Sequence, residues 1–355
     1  MTDTPRVLAV ATMGSGSGDE ARLLALLREF APDVAPFDPR HKLRSGRRLF
    51  ARIRRTRPRL VVMEGTGVAG GAALILARLL FGTRYVVGSG DAVGPYVAGR
   101  VRWLGPAFGL YERVLCRLAA GYIGWTPYLV GRAVAFGCPR GVTAPGWAAT
   151  PLSSEERAAA RADVRRRLDI SPDELVVGLA GSLAWNRRYR YCYGLELVEA
   201  ARRVKRPDVR FLVVGDGTGL AELKRRADGR VLFTGRVPAA EVPRYCAAMD
   251  VGSLPQSLDG VGLVRYTTKL PEYLAAGLGV LTGPTPAAYD LDAGWVWRVG
   301  GGHPWEPGYH AALAAVIDGL TADEVGAKGA AAAGDRRFDR DEQVRRVTAF
   351  VRELG

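Results

Sequence analysis

The chain has 355 residues, a length that predicts two domains or one large α/β unit and excludes a small scaffold stapled by disulfides or metal. Hydrophobic residues make up 48% and charged residues 24% of it, which also excludes a disordered or fibrous chain. The net charge of +14 would suit a nucleic acid or an anionic membrane. Only five of the 50 basic residues are lysine, a composition that a GC-rich coding bias would also produce. The net charge alone therefore does not identify the class of binding partner.

The cysteines and histidines argue against a metal site. Cys116, Cys138, Cys192 and Cys246 form no Cys-x-x-Cys pair, and the chain has 3 histidines, too few to complete a zinc site. No signal-peptide pattern precedes the apolar run at residues 7–10, and no apolar stretch reaches the length of about 18 residues that a spanning helix needs. We expect reduced thiols in a cytoplasmic protein with neither metal nor cofactor, which could still contact the inner face of a membrane.

Strand-like and helical segments alternate along the chain, which is typical of parallel sheets covered by helices. In the first half the pattern predicts strands at Arg6–Ala11, Leu60–Met63 and Tyr85–Val87. It predicts helices at Asp19–Phe30 and Ala69–Leu80, and a helical stretch through Leu118. In the second half it predicts strands at Leu175–Leu179, Phe211–Val214, Val231–Phe233, Val251–Leu254 and Val280–Leu281. The helices predicted between them are Gly194–Val204, Gly219–Ala227, Ala239–Ala248 and Thr268–Ala276.

These two series predict two Rossmann-like domains. Pro145, Gly146 and Pro151 interrupt regular structure between them, so we assign residues 1–150 to the first domain and 151–338 to the second. The amphipathic segment 339–355 is expected to be a helix that packs back on the first domain. Two such domains would face each other across a cleft, with ligands at the carboxyl ends of the strands.

Two glycine-rich turns follow predicted strands. Gly14 and Gly16 lie in a Gly-Ser-Gly-Ser-Gly turn that could bring backbone N–H groups close to a phosphate. The turn lacks the Gly-Lys-Ser/Thr ending of a P-loop, so a plain strand-to-helix turn is an equal alternative. Residues 215–217 form a second such turn, with the same two interpretations.

The segment from Asp259 to Gly277 is the richest in candidate binding groups. A loop leads into a helix that begins near Thr268 and Lys269, and Glu272 lies one turn further along on the same face. Free N–H groups, a cation and a carboxylate together suit a nucleotide diphosphate beside ribose hydroxyls. The alternative is an ordinary Lys–Glu pair on a solvated helix, which would stabilise it by only tenths of a kcal/mol.

Four segments in chain order resemble the nucleotide-sugar domain of GT-B glycosyltransferases. The resemblance is to the retaining Glu-x7-Glu family, family 4 or glycosyl transferases group 1, and covers residues 175–285 well and the first half loosely. The four segments are Gly-Ser-Leu-Ala-Trp-Asn-Arg ending at Arg187, Phe-Leu-Val-Val-Gly-Asp-Gly over 211–217, Val-Leu-Phe-Thr-Gly-Arg-Val ending at Val237 with the helix to Asp250, and Lys-Leu-Pro-Glu-Tyr-Leu-Ala-Ala-Gly over 269–277.

The resemblance implies a metal-independent enzyme with two facing domains that moves a sugar from a nucleotide-diphosphate sugar to an acceptor hydroxyl, with retention. Arg187 and Lys269 would neutralise the donor diphosphate, and Glu272 would hold the ribose hydroxyls. Arg236 and Val237 would line the base. A sugar-nucleotide epimerase of the same fold and a non-catalytic sugar-nucleotide binder are the alternatives.

One position departs from the family pattern. Eight residues before Glu272 stands Val264, where the family has its first carboxylate, which contacts the donor sugar. Asp259 and Gly260 begin a sequence that imitates the family's acidic Gly-x-Gly loop, but five residues too early. We expect Asp259, or the backbone of 260–262, to contact the sugar instead. The departure is what keeps the non-catalytic alternative open.

Two further features are candidate sites. Asp91 follows a predicted strand and is the candidate acceptor-side or general-base residue, with a turn cap as the alternative. The stretch Arg40–Arg59 has ten basic residues and no acidic one. It could contact anionic lipid headgroups or an anionic acceptor, or be a solvated arginine-rich face. No motif supports nucleic-acid binding. The resemblance implies a nucleotide sugar and a small, lipid-linked or glycan acceptor as the partners.

Overall fold

The computed structural model describes residues 7–355, so Arg6, at the start of the first predicted strand, lies outside the described residues. The chain forms two compact units. The first runs to Gly146 and also includes Val264–Tyr266 and Asp339–Gly355. The second comprises Trp147–Leu263 and Thr267–Phe338.

The first unit contains a six-stranded parallel sheet in the order β2-β1-β3-β4-β5-β6. Its central strands are short apolar runs buried on both faces, as parallel strands between helical layers must be. The strands are β1 (Val7–Ala11), β2 (Asp33–Val34), β3 (Leu60–Glu64), β4 (Arg84–Ser89), β5 (Gly121–Gly124) and β6 (Gly141–Thr143).

Helices connect these strands and cover the sheet. They are α1 (Gly18–Leu26), α2 (Lys42–Thr56), α3 (Val68–Phe81), α4 (Val93–Ala98), α5 (Gly105–Leu118), α6 (Pro127–Ala135) and, from the end of the chain, α15 (Arg340–Leu354). Gln343 fixes α15 to the first unit, because its amide donates to the carbonyl of Gly146 at 2.7 Å and accepts from the Gly146 N–H at 2.9 Å.

The second unit repeats the architecture with strand order β12-β11-β10-β7-β8-β9. The strands are β7 (Leu175–Ala180), β8 (Val209–Val214), β9 (Val231–Gly235), β10 (Val251–Ser253), β11 (Gly279–Thr282) and β12 (Val296–Arg298). The helices are α7 (Ser154–Arg167), α8 (Leu195–Ala201), α9 (Leu220–Arg226), α10 (Val242–Ala247), α11 (Lys269–Ala275), α12 (Ala287–Asp290), α13 (Pro307–Asp318) and α14 (Ala322–Gly334).

Both sheets reverse their strand order beside the first strand of the unit. β1 lies between β2 and β3, and β7 lies between β8 and β10. At such a switch point the loops that follow the two neighbouring strands diverge and leave a crevice at their carboxyl ends, where ligands of open α/β sheets bind. The prediction of an α/β fold with two Rossmann-like units is therefore confirmed.

The structure differs from the predicted elements in particular places. The helical stretch expected through Leu118 is two helices, α4 and α5, since Gly99 and the Gly105–Pro106 pair favour a break. The predicted helix Asp19–Phe30 ends at Leu26 and continues as a 3₁₀ turn. No strand was predicted at β5 or β6, which are short and contain glycine. Within residues 7–355 no helix is both long and apolar enough to cross a membrane.

Candidate functional site

Tyr273 fixes α11 at the switch point of the second sheet. Its hydroxyl accepts from the N–H of Ala180, the last residue of β7, at 3.1 Å and donates to the carbonyl of Ser253, the last residue of β10, at 3.2 Å. The ring is fully buried, and burial raises the pKa of the phenol well above its usual value. A Cβ on Gly252 would lie 2.6 Å from this ring, so glycine makes the close packing possible.

Lys269 is the first residue of α11 and lies at the end of β7. Its ammonium group lies 4.3 Å from the centre of the Tyr193 ring, a cation–π contact. A Cβ on Gly181 would overlap the Lys269 side chain, so the absence of a side chain at Gly181 leaves the space that the lysine occupies. The sequence-predicted cation thus lies beside the first loop of the sheet.

Glu272 lies one turn along α11 from Lys269. Burial raises the pKa of its carboxyl group, and the nearby Lys269 opposes this shift. The side chain borders an open pocket beside α11. The pocket is lined otherwise by Ala148–Leu152, Arg157, Ala239, Pro243, Ala275 and Ala276. A half-buried carboxylate beside a largely apolar pocket suits a ligand with hydroxyl groups next to an apolar ring.

Arg187 lies at an exposed turn of the loop that follows β7. A bridge between Asn186 and Tyr191 closes this turn, and the Asn186 side chain accepts from the N–H groups of Arg188 and Tyr189 at 2.9 and 3.2 Å. The turn directs the chain but leaves the Arg187 guanidinium exposed. A cation in this position is accessible to an anionic ligand.

The tyrosines near this loop mainly pack within the protein. Tyr191 is buried and its hydroxyl donates to Glu196 at 2.9 Å. Tyr189 stacks on Trp305 with ring centroids 4.3 Å apart, and His303 stacks on the same indole at 4.4 Å.

Asp259 organises the loop after β10. One oxygen of its carboxylate accepts from the Ser257 hydroxyl at 2.8 Å and from the N–H groups of Val261 and Gly262 at 3.0 Å. Burial alone would raise the pKa of this carboxyl, but these hydrogen bonds outweigh it and the pKa is lowered. Gly260 is exposed within the turn. The carboxylate therefore has a structural task that the sequence did not predict.

After this turn the chain joins the first unit for three residues. The Thr126 hydroxyl donates to the carbonyl of Val264 at 2.8 Å, and the Tyr266 ring meets Tyr128 edge-on at 6.0 Å. Thr267 then has a φ of 62°, a left-handed conformation that costs a non-glycine residue strain. Thr268, the exposed residue before α11, makes no side-chain capping bond to the helix.

Arg236 and Val237 follow β9, the edge strand two places from β7. Arg236 is exposed and Val237 is half-buried. The turn at 215–217, which follows β8, packs tightly against the loop after β7, since a Cβ on Gly217 would lie 2.8 Å from the Ala184 nitrogen. The second glycine turn thus has a packing role, which sequence inspection could not separate from ligand contact.

Glu196, at the start of α8, is a buried carboxyl that the sequence did not point to. It accepts from the Tyr191 hydroxyl and from the Gly194 N–H at 3.0 Å. Burial raises its pKa to about 7, although the hydrogen bonds and the nearby Lys269 oppose the shift. Only its place in the folded unit reveals it, because a Glu in the first turn of a helix is ordinary.

The remaining predicted residues belong to the first unit. Gly14 and Gly16 have φ values of 106° and 79°, a left-handed backbone that favours glycine whether or not a ligand binds. Asp91 pairs with Arg265, whose Nε donates to its carboxylate at 2.8 Å. The Asp91 side chain is 40% exposed, so it can still meet a ligand. Its partner comes from distant sequence, which is why Arg265 was not predicted.

A buried ion pair lies at the end of β3 in the same unit. Arg22 donates to Glu64 at 2.9 Å, and the Trp125 indole N–H donates to the same carboxylate oxygen at 2.8 Å. Burial raises the pKa of Glu64, against the attraction of Arg22. Across residues 7–355 no group of three or more His, Cys, Asp or Glu side chains is placed to hold a metal ion.

Comparison with known proteins identifies the second unit. Residues 174–323 match the sequence model of the family described as "Glycosyl transferases group 1". The chain carries a glycosyltransferase domain. This confirms the prediction of a glycosyltransferase enzyme, and the matched segment contains Arg187, Lys269 and Glu272. A sequence search of curated proteins found no match.

Solved structures extend the likeness to the whole chain at the level of fold. HepE from Anabaena, solved with UDP, has a TM-score of 0.72 at 17% identity, covering 98% of this chain and 100% of that one. A sucrose-phosphate synthase from Thermosynechococcus elongatus has a TM-score of 0.70 at 16% identity, covering 98% and 99%. A protein from Listeria monocytogenes described as a UDP-N-acetylglucosamine 2-epimerase has a TM-score of 0.60 at 13% identity, covering 99% and 96%. The GT-B fold is confirmed.

Removing the Tyr273 hydroxyl should destabilise the glycosyltransferase domain. Tyr273→Phe leaves the Ala180 N–H buried without its acceptor, so we expect the free energy of unfolding to fall by about 1–3 kcal/mol. Tyr289→Phe is the control, because that side chain is 57% exposed. Chemical denaturation checks both. Equal stability of the two variants would mean that the hydroxyl does not hold α11.

Glu196 should make stability depend on pH. Its folded pKa of about 7 lies above the unfolded value, so the fold loses stability as the pH rises from about 4.5 to 7. The loss amounts to about 3 kcal/mol when complete. Glu196→Gln removes this titration. We expect calorimetry to show the melting temperature of the variant rising relative to wild type between pH 5 and pH 8, and a constant difference would contradict the assignment.

Proposed function

We propose that the protein transfers a sugar from a nucleotide-diphosphate sugar to an acceptor hydroxyl. The observation that carries this proposal is the position of Lys269 and Glu272, three residues apart on α11, at the switch point of a glycosyltransferase domain. HepE, whose fold the chain shares, was solved with UDP, with UDP-glucose, and with UDP and glucose. We therefore take UDP as the first nucleotide to test.

The described contacts suggest a place for each part of the donor. Lys269 would neutralise the diphosphate, and the exposed Arg187 would approach it from the loop after β7. Glu272 would accept hydrogen bonds from the ribose hydroxyls, with the nucleoside in the adjoining open pocket. Arg236 and Val237 would meet the base at the rim, mainly through backbone atoms. Donor binding would then belong mainly to residues 151–338.

We propose that transfer proceeds with retention and without metal. The bond between the sugar carbon and the leaving phosphate oxygen breaks, the acceptor oxygen bonds to the same carbon, and the leaving phosphate takes the acceptor proton. Lys269 and Arg187 would stabilise the negative charge that develops on the diphosphate. Since Asp259 already accepts three hydrogen bonds within its own loop, backbone groups around Gly260 would make the sugar contact.

The first unit would bind the acceptor, a small molecule, lipid-linked sugar or glycan. Asp91 would orient its hydroxyl, and the glycine turn of Gly14 and Gly16 would offer backbone N–H groups to a phosphate of the donor. An inverting enzyme would need a general base at this position instead. NMR of the product distinguishes the two courses, because retention keeps the anomeric configuration of the donor and inversion reverses it.

Two alternatives predict different behaviour. An epimerase, suggested by the likeness to the Listeria protein, would convert the donor when no acceptor is present. A non-catalytic binder, suggested by Val264 in place of the family's carboxylate, would bind the donor without turnover. Incubation of donor with and without acceptors, followed by mass spectrometry, separates these outcomes.

Substitution of either α11 residue should weaken donor binding without unfolding the domain. For Lys269→Ala and Glu272→Ala we expect the Kd for UDP, measured by titration calorimetry, to rise at least about tenfold, since each loses a charge-assisted contact. Arg225→Ala is the control, as this exposed arginine lies on α9 and pairs with Glu222. Unchanged affinity in both α11 variants would contradict the proposed site.

Gly181→Ala should have a similar effect through the position of Lys269. The added Cβ would overlap the lysine side chain, whose flexible end can move away while the fold is retained. We expect weaker UDP binding with little change in melting temperature. The matched control is Gly229→Ala, because a Cβ there meets no atom within 4 Å. Equal affinities for the two variants would show that Lys269 does not need this position.

A further inference from the structure

The positive charge of the chain is concentrated in the first unit. Residues 39–150 contain 18 Lys or Arg and three acidic residues, Glu64, Asp91 and Glu112. Glu64 and Glu112 are buried and paired with arginines, and Asp91 pairs with Arg265. No acidic side chain of this segment is therefore left to offset its exposed arginines, and the excess of this segment accounts for the whole net charge of +14.

Helix α2 presents the densest part of this charge. Its buried side is a narrow stripe that includes Leu49 and Ile53. The opposite side exposes arginines at positions 44, 47, 48, 54 and 55. Because the exposed arginines have no acidic neighbour on the helix, their fields add rather than cancel.

Exposed apolar side chains occur on the same group of helices. Of the eleven large hydrophobic side chains that are exposed in residues 7–355, nine lie on α2, α3, α6 or the segment from α4 to α5. The six most exposed of these are Leu43, Trp103, Leu79, Leu80, Leu110 and Leu76, at 49–78% exposure. Single exposed hydrophobic residues are ordinary, but a concentration on one surface marks an interaction site.

These helices form one layer on one side of the sheet. They lie in the connections from β2 to β3, β3 to β4, β4 to β5 and β5 to β6, which all run in the same direction across the sheet. Right-handed crossovers place the helices of such connections on the same side. Helix α2 packs beside α3, with the Gly46 backbone close to Ala69 at one end and the Arg57 guanidinium over the Phe81 ring at 4.3 Å at the other. Leu79 and Leu80 therefore lie at the same end of the layer as Arg54 and Arg55.

We propose that this helical layer docks on an anionic phospholipid bilayer. The arginines of α2 would contact the headgroups, and the exposed leucines of α3, with Leu110 and Trp103, would enter the interface between headgroups and acyl chains. Tryptophan is enriched at this depth of a bilayer. The proposal extends the sequence-based hypothesis for Arg40–Arg59, and it does not depend on the proposed sugar transfer.

The apolar component favours a bilayer over a nucleic acid. A nucleic acid presents phosphates to arginines, but its backbone has no apolar layer that would bury aliphatic side chains such as Leu79 and Leu80. A bilayer offers both surfaces, with charged headgroups outside and hydrocarbon below them. Binding should therefore need both the charged and the apolar side chains.

Co-sedimentation of the full chain with vesicles tests the proposal. We expect wild type to bind phosphatidylcholine vesicles that contain phosphatidylglycerol, and to bind pure phosphatidylcholine weakly. Arg47→Glu/Arg48→Glu should reduce binding to the anionic vesicles by more than about tenfold, as surface cations contribute most of the attraction. Leu79→Ser/Leu80→Ser should reduce it by about tenfold at unchanged net charge.

Matched changes in the second unit serve as controls. Lys224→Glu/Arg225→Glu on α9 makes the same charge change, and Tyr289→Ser removes an exposed apolar side chain from α12. Both should sediment like wild type. Melting temperature and UDP binding, measured on every variant, separate lost docking from lost folding. Leu43→Ser replaces the leucine pair if that variant does not fold.

Three results would overturn the proposal. The first is a wild-type protein that stays in the supernatant with anionic vesicles. The second is a folded leucine variant that sediments like wild type, since the surface would then respond to charge alone. The third is loss of vesicle binding in the α9 control to the same degree as in the α2 variant. A wild-type protein that binds anionic vesicles but does not bind UDP would contradict only the proposed function.

Discussion

The position of α11 depends on the Tyr273 hydroxyl, which bonds to the last residues of β7 and β10. These two strands flank the point where the order of the second sheet reverses, so a single buried phenol fixes the helix at the place where open α/β sheets bind ligands. Gly252 leaves room for the phenol and Gly181 for Lys269. The cation and carboxylate of α11 thus take their positions from packing beneath them.

The loop before α11 accounts for the departure from the family pattern. The early Asp259 closes its own turn, and the chain then contributes Val264–Tyr266 to the first unit before returning at Thr267. The positive φ of Thr267 marks the place where the backbone turns back toward α11. The lengthened loop is therefore an ordered part of the structure. Hydrogen bonds within its turn occupy one oxygen of the Asp259 carboxylate. This segment also brings Arg265 to Asp91.

The local sequence pattern was enough to predict the α/β fold and to place a cation and a carboxylate on α11. Buried strands and helical periodicity depend on residues that are close in sequence. It was not enough where a property depends on distant contacts. The raised pKa of Glu196, the Arg265 partner of Asp91 and the bridge made by Tyr273 all require residues that are far apart in sequence. Short glycine-containing strands such as β5 also lack a periodic signal.

We propose that α11 of the second unit binds the diphosphate of a nucleotide-sugar donor. A crystal structure of the protein soaked with UDP would test this contact. We expect phosphate oxygens within hydrogen-bond distance of the Lys269 ammonium and ribose hydroxyls at the Glu272 carboxylate. UDP bound elsewhere, for example at the glycine turn of the first unit around Gly14, with no contact to α11, would contradict it.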